Sequence, residues 1–226
     1  MNKEVDTSEF KSFFKSVQGN EGDKCRYNTR LDTYGCGCQH NCSYCYARSL
    51  LHFRGFWNAD QPKAADIRRI ARKVNQLSPG TIIRLGGMTD CFQPCEQEQR
   101  VTYHTILEMN RRRVGYLIVT KSALIAEPEY LEILDRSLAH IQITVTCLDD
   151  KKTLTYEKAS PPSQRVLAIQ KLQESGFDVS MRLSPVIEEF MDFEMLNSLD
   201  IERCVVEFLR INTWIRQWLK EVDFTK

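Results

Sequence analysis

The chain has 226 residues, with 31 Lys and Arg against 30 Asp and Glu for a net charge of +1, and is 42% apolar and 27% charged. That balance suits a folded chain of one domain and excludes disorder, fibrous repeats and a densely basic nucleic-acid coat. No run is long and apolar enough to span a membrane, and the polar start MNKEVDTSEFKSFF lacks the apolar core of a secretory signal, so a cytoplasmic protein with no membrane partner is expected.

Residues 1–24 read as a polar N-terminal arm with one short helix around Phe10–Val17, and residues 25–226 as a single domain. Six short apolar segments follow as strand candidates: Arg30–Tyr34, Thr81–Leu85, Tyr116–Thr120, Ile141–Thr146, Asp178–Leu183 and Cys204–Leu209. Their β-branched, apolar character suits strands covered on both faces. Between them, Ala64–Leu77 carries Ile67, Ile70, Ala71, Val74 and Leu77 on one helical stripe. Glu96–Asn110 has acids in its first turn and Arg111–Arg113 after its last, in the order the helix dipole favours. Ser160 is placed to cap a helix starting at Pro161, Gly176 to end it, and a last helix is expected over Thr213–Val222. Six β-then-α units in series imply an α/β fold with parallel strands and right-handed crossovers. Their number fits a (βα)6 partial TIM-type barrel, with a doubly wound open sheet as the competing topology.

Nine cysteines in a chain without an export signal point away from disulfides and toward metal. Four of them, Cys36, Cys38, Cys42 and Cys45, crowd into the segment YGCGCQHNCSYCYAR directly after the first strand. Cys38, Cys42 and Cys45 have C-x3-C-x2-C spacing, which lets one loop present three thiolates to three irons of a cubane and leaves the fourth iron open. Tyr44 can pack against such a cluster and shield it from water. Cys36 is a candidate fourth ligand but reads better as a bystander, and Cys25 as a packed or surface thiol. Zinc held by these cysteines with Cys36 or His40 is the alternative, in a non-catalytic binding module.

These residues resemble the radical S-adenosylmethionine (SAM) superfamily, and YGCGCQHNCSYCYAR resembles its spore photoproduct lyase and DNA repair photolyase-like branch. The resemblance implies a [4Fe-4S] cluster on Cys38, Cys42 and Cys45, SAM bound at the open iron, and reductive cleavage of SAM to a hydrogen-abstracting 5′-deoxyadenosyl radical. A reducing partner such as flavodoxin or ferredoxin is implied with it. Gly86 and Gly87 match the family's Gly-Gly-Glu motif without its Glu, and Thr89-Asp90 resembles the branch's Ser/Thr-Asp, making Asp90 the candidate for the SAM ammonium group. Gln93-Pro94-x-Glu96 also matches photolyase-like relatives. By the same resemblance Lys121 and Thr144 serve the SAM carboxylate, the Arg182-to-Val186 stretch with Ser184 receives the adenine, and Glu157 and Arg165 form a structural salt bridge. Cys91, next to Asp90, is the candidate catalytic hydrogen donor, although a packed thiol is the plainer reading. A nucleic-acid (DNA lesion) substrate is implied by the branch, with a peptide or small metabolite as the alternative. Arg68, Arg69, Arg72, Lys73 and Arg111–Arg113, with Phe53, Phe56 and Trp57, could form a cationic aromatic groove, though such faces commonly just solvate a helix. Trp214 and Trp218, at i and i+4, read as core or interface.

Overall fold

The computed structural model describes Lys15–Ser16, Tyr27 and residues 29–225. In chain order the strands are β1 (Lys15–Ser16), β2 (Thr29–Leu31), β3 (Tyr34–Gly35), β4 (Lys63–Ala64), β5 (Ile82–Leu85), β6 (Gly115–Thr120), β7 (Ala139–Thr144), β8 (Asp178–Val186) and β9 (Cys204–Phe208). The α-helices are α1 (Tyr46–Phe53), α2 (Ile67–Val74), α3 (Glu96–Gln99), α4 (Val101–Arg111), α5 (Pro128–Ile133), α6 (Asp150–Thr153), α7 (Pro162–Glu174), α8 (Phe193–Asn197) and α9 (Thr213–Trp218).

The main sheet runs β1-β2-β5-β6-β7-β8-β9, and β3 pairs with β4 in a small second sheet. From β2 to β9 every neighbouring pair is parallel. Strand order follows chain order without the reversal that defines a doubly wound sheet, so the six parallel strands form the partial TIM-type barrel. At its edge β1 pairs antiparallel with β2, Lys15 opposite Arg30. Those two residues are a strand where the sequence suggested part of a helix. The rest of the Phe10–Val17 expectation, and Cys25, lie outside the described residues. Among the described residues no helix is long and apolar enough to cross a membrane.

Burial alternates along the strands, which corrects the expectation that both faces are covered. Ile83 and Leu85 of β5, and Tyr116 and Ile118 of β6, are fully buried in the main core. The alternate residues line cavities on the concave face. Toward the amino ends of the strands Ile82, Leu117, Gln142, Ser180 and Val205 line a cavity of about 780 Å³. Toward the carboxyl ends Arg84, Val119, Thr144, Arg182 and Glu207 line a second cleft.

The helices differ from expectation for local reasons. Ala64 is taken by β4, and α2 starts at Ile67 because the Asp66 carboxylate caps it by accepting from Arg68 N at 2.9 Å. The stretch expected as one helix over Glu96–Asn110 splits at Arg100, which sits at φ +52°. The fully buried Glu96 imposes this break. Its carboxylate accepts from Thr102 N at 2.9 Å and Tyr103 N at 2.8 Å, capping α4, and also from the hydroxyls of Tyr34 and Tyr130. Ser160 caps no helix. Pro161 occupies the cap of α7, while Ser160 Oγ accepts from Ala123 N at 2.9 Å. Gly176 ends α7 region as expected, with φ +77°. The last helix stops at Trp218, short of Val222. Trp214 and Trp218 stack on each other at 5.6 Å, and His52 meets them edge-on at 5.0 and 5.5 Å, which ties α9 to α1.

The basic residues that could have formed a groove do not line the cleft. Arg111–Arg113 precede β6, so they lie at the opposite end of the sheet from the carboxyl-end cleft. They are spent on structural contacts, Arg111 with Glu108, Arg112 with the Asn75 carbonyl and Arg113 with Asp135. Arg68, Arg72 and Lys73 are exposed on α2, and none of them lines the cleft.

Candidate active site

The cysteine loop runs from β3 into α1 and is fixed by backbone contacts. Cys36 takes φ +57°, and its carbonyl accepts from Asn58 N at 2.8 Å. At Gly37 the chain passes so close to this neighbour that an added Cβ would stand 1.8 Å from the Asn58 carbonyl oxygen. Downstream, Asn41 N donates to Cys38 O at 3.0 Å, Ser43 N to Tyr156 O at 2.8 Å, and Lys158 N to His40 O at 2.7 Å. Gln39 and Gln93 cross-link the loop to its neighbour: Gln39 N donates to Gln93 Oε1 at 2.9 Å, and Cys95 N donates to Gln39 Oε1 at 2.6 Å. Cys45 caps α1, its sulfur accepting from Arg48 N at 3.4 Å. Replacing Gly37 with Ala is therefore expected to displace Cys38 and reduce iron loading after anaerobic reconstitution, while far-ultraviolet circular dichroism keeps the native helix signal.

Cys38, Cys42 and Cys45 all line one cleft of about 170 Å³; Cys36 does not. Burial pushes the Cys38 thiol up to about 12 and lifts Cys42 well above the ordinary thiol range, with Asp90 adding to the first and Glu157 to the second. A thiol so placed ionises when a metal compensates its charge, so the donor set fits a cationic group that binds thiolates. Among the described residues no three Cys, His, Asp or Glu groups converge closely enough to hold one metal ion. Three thiols lining one cleft can each serve a separate iron of a cluster.

Tyr44 is buried between the second and third thiols. Its hydroxyl donates to Glu157, and its ring lies 5.8 Å from Tyr156 with Lys121 Nζ 5.5 Å from its centroid. Glu157 in turn pairs with Arg165, both side chains fully buried. Arg165 also donates to Thr144 O at 3.0 Å and to Ser160 O at 2.5 Å. Cys42 Sγ stands 3.8 Å from Glu157 Oε2, so the pair lies directly behind the cysteine loop.

The remaining wall comes from the carboxyl ends of β5 to β9. Gly86, Gly87, Thr89, Asp90, Lys121, Thr144, Arg182 and Ser184 all line the cleft. Thr89 Oγ1 donates to Tyr34 O at 2.6 Å. The Asp90 carboxylate already accepts from Phe92 N at 2.9 Å, Thr120 Oγ1 at 2.7 Å and Lys121 N at 2.7 Å, with His40 Nε2 at 3.2 Å. Burial would raise its pKa, but His40 and these donors outweigh burial and hold it down to about 2. So Asp90 reaches the cleft with most of its acceptor capacity spent on ordering the loops around it.

Cys91, named as a candidate hydrogen donor with a packed thiol as the plainer reading, lies away from the cleft. The turn after Asp90 directs it into the main core, where it is 1% exposed, and it does not line the cleft. Burial raises its pKa well above the ordinary thiol value, and it behaves as a packed thiol.

Sequence reading assigned no role to three contributors. Asp32, just past β2, accepts from three backbone amides of the Gly-Gly loop. Tyr46 donates to Gly87 O at 2.8 Å. Glu207 of β9 holds Arg182 at 2.6 Å and accepts from Ser184 Oγ at 2.8 Å. Alternation along β9 puts Glu207 on the concave face, and that periodicity was the one signal that could have found it.

A sequence-family description of the Radical SAM superfamily matches residues 33–200. An uncharacterized protein of Methanocaldococcus jannaschii is 25% identical over 167 residues, 71% of this chain and 61% of its own length. Spore photoproduct lyase complexed with dinucleoside spore photoproduct has a similar fold, with TM-score 0.68, 15% identity and coverage of 93% of this chain and 66% of that one. Native anSMEcpe with bound AdoMet is similar at TM-score 0.54 and 10% identity, over 79% of this chain and 51% of that one. This chain therefore spans less than two thirds of the length of each of these proteins. The family match takes in the cysteine loop and the four central parallel strands, well over half of the sequence, and the chain belongs to the radical SAM superfamily.

Proposed function

We propose that the protein is a radical SAM enzyme in which Cys38, Cys42 and Cys45 hold a [4Fe-4S] cluster, SAM binds at the iron they leave open, and the substrate is a nucleic acid. The observation that carries the cofactor reading is the meeting of three thiols and the Gly86-Gly87 loop in one cleft at the carboxyl ends of parallel strands. When bound and reduced by a partner such as flavodoxin or ferredoxin, such a cluster supplies the electron that splits SAM into methionine and a 5′-deoxyadenosyl radical. The chain's own residues bind and orient. Lys121 offers a cation beside the thiols for the SAM carboxylate, with Thr144 close by in the lining. The Ser184-Pro185 backbone forms the wall proposed for adenine. Tyr44, buried on Glu157 beside Cys42, covers the loop from its protein side.

The substrate reading is supported at the mouth of the cleft. Phe208 lines it while 80% exposed, and the exposed Arg210 beside it lies 5.3 Å from the Tyr46 ring. An exposed aromatic next to a guanidinium can stack on a base and meet its phosphate. The fold shared with spore photoproduct lyase supports the same substrate class.

The test is to incubate reconstituted, dithionite-reduced protein with SAM and deuterated oligonucleotides carrying damaged bases. Formation of 5′-deoxyadenosine carrying deuterium supports the whole reading. Unlabelled 5′-deoxyadenosine with every nucleic acid, and labelled product with a deuterated peptide or metabolite, would move the substrate elsewhere. Lys121→Ala is expected to weaken SAM binding roughly tenfold, as loss of one charged hydrogen bond does, while leaving the brown cluster intact. Calorimetric titration with SAM, beside an iron assay, checks both halves.

A further inference from the structure

The loop that carries Gly86 and Gly87 is shaped by a carboxylate from another strand. Asp32 Oδ1 accepts from Gly87 N at 2.8 Å, Met88 N at 2.7 Å and Thr89 N at 3.3 Å. Gly86, at φ +79°, starts the turn that makes this convergence. Three successive amides aimed at one point form a nest that would otherwise attract an anion. Asp32 fills it from the protein side and is itself 2% exposed.

The consequence reaches the cleft. Residues 86–90 line it, yet the amides of 87, 88 and 89 are turned onto Asp32 and are not offered to a ligand. With those amides withdrawn, and the Asp90 amide directed at Cys38, this wall meets a ligand through acceptors: the edge of Asp90, or a backbone carbonyl such as Gly87 O, which accepts from the Tyr46 hydroxyl at 2.8 Å and keeps a second lone pair. Such a wall suits a cation. Asp90, held by three hydrogen-bond donors with His40 Nε2 at 3.2 Å, has little capacity to receive an ammonium group by itself. The glutamate expected after the two glycines is Met88 in this chain.

We infer that Asp32 is a positioning residue for the positively charged amino group of the bound nucleotide: it draws the amides of 87–89 away from the cleft and so leaves a carbonyl-lined seat for the cation. The inference rests on the proposal that SAM is the nucleotide. Asp32 touches no ligand in this account; it acts through the loop.

The test compares SAM with 5′-methylthioadenosine, which keeps the nucleoside and lacks the amino acid portion. Reconstituted Asp32→Ala protein is expected to bind SAM about tenfold more weakly while binding methylthioadenosine as the unaltered protein does. Asp32→Asn keeps an acceptor oxygen in place and is expected to restore SAM binding to within about threefold. Amide exchange on the metal-free chain is expected to be slow at Gly87, Met88 and Thr89 and at least about tenfold faster in Asp32→Ala. Should Asp32→Ala not fold, Asp32→Ser, with its single shorter acceptor, carries the same comparison. Equal weakening of both ligands, or unchanged SAM binding with faster exchange, would overturn the inference. Unaltered protein that binds neither compound would end the SAM reading itself, a result distinct from a variant that binds both normally.

Discussion

Cys38→Ala, Cys42→Ala and Cys45→Ala proteins, reconstituted with iron and sulfide in the absence of oxygen, are expected to lose the cluster and the cleavage of SAM together. The unaltered protein should take up about four irons and the variants a small fraction of that. The reason is geometric. Three thiols line one cleft, and among the described residues no further Cys lines it to substitute for a lost ligand. Cys36→Ala is the internal control. Cys36 lies two residues before Cys38, the first of the three, with a carbonyl tied to Asn58, and it does not line the cleft, so its loss is expected to leave iron content and 5′-deoxyadenosine formation close to normal. A Cys36→Ala protein without iron, or a Cys42→Ala protein with full activity, would contradict the assignment of ligands. Elemental analysis that finds one zinc and no iron in anaerobically purified protein would contradict it more broadly.

The second large effect is on stability. Glu157 and Arg165 form an ion pair with both side chains fully buried, and Tyr44 is tethered to the same carboxylate. Removing one partner strands the other as a buried, uncompensated charge, which costs about 3–5 kcal/mol. For a chain of this size that corresponds to a fall in Tm on the order of 10 °C. Arg165→Leu and Glu157→Ala are each expected to show it in the metal-free protein by calorimetry. Arg165 also donates to Thr144 O and Ser160 O, so its loss frees two further acceptors and is expected to be the more damaging change. The double variant Glu157→Leu with Arg165→Met is expected to recover part of the loss, because no lone charge remains buried. Single variants as stable as the unaltered chain would show that water reaches the pair.

What could be read in the sequence was what a local rule enforces. That Cys38, Cys42 and Cys45 share one cleft follows from their spacing, because one short loop can wrap a common site. The six strands follow from short β-branched runs, and their order in the sheet matches the simplest series of β-then-α units. The helix break at Arg100 was hidden because the residues from Glu96 to Asn110 keep good helical composition throughout. It is created by Glu96 folding back onto the amides of Thr102 and Tyr103 in a pocket of tyrosines. Cys91 shows what adjacency in sequence hides. It is adjacent to Asp90 in sequence, but a turn sends neighbours to opposite sides, one to the cleft and one to the core. Asp32 and Glu207 act on residues of other strands, more than fifty and more than twenty positions away respectively, and only tertiary structure makes those meetings visible.

The account depends on one open iron facing SAM. The most direct measurement is electron–nuclear double resonance on the reduced, reconstituted protein with SAM isotopically labelled at its amino nitrogen. Coupling of that nitrogen to the cluster, absent without SAM and lost in cluster-free variants, is the result the account requires. A cluster signal unchanged by added SAM and without nitrogen coupling would contradict it.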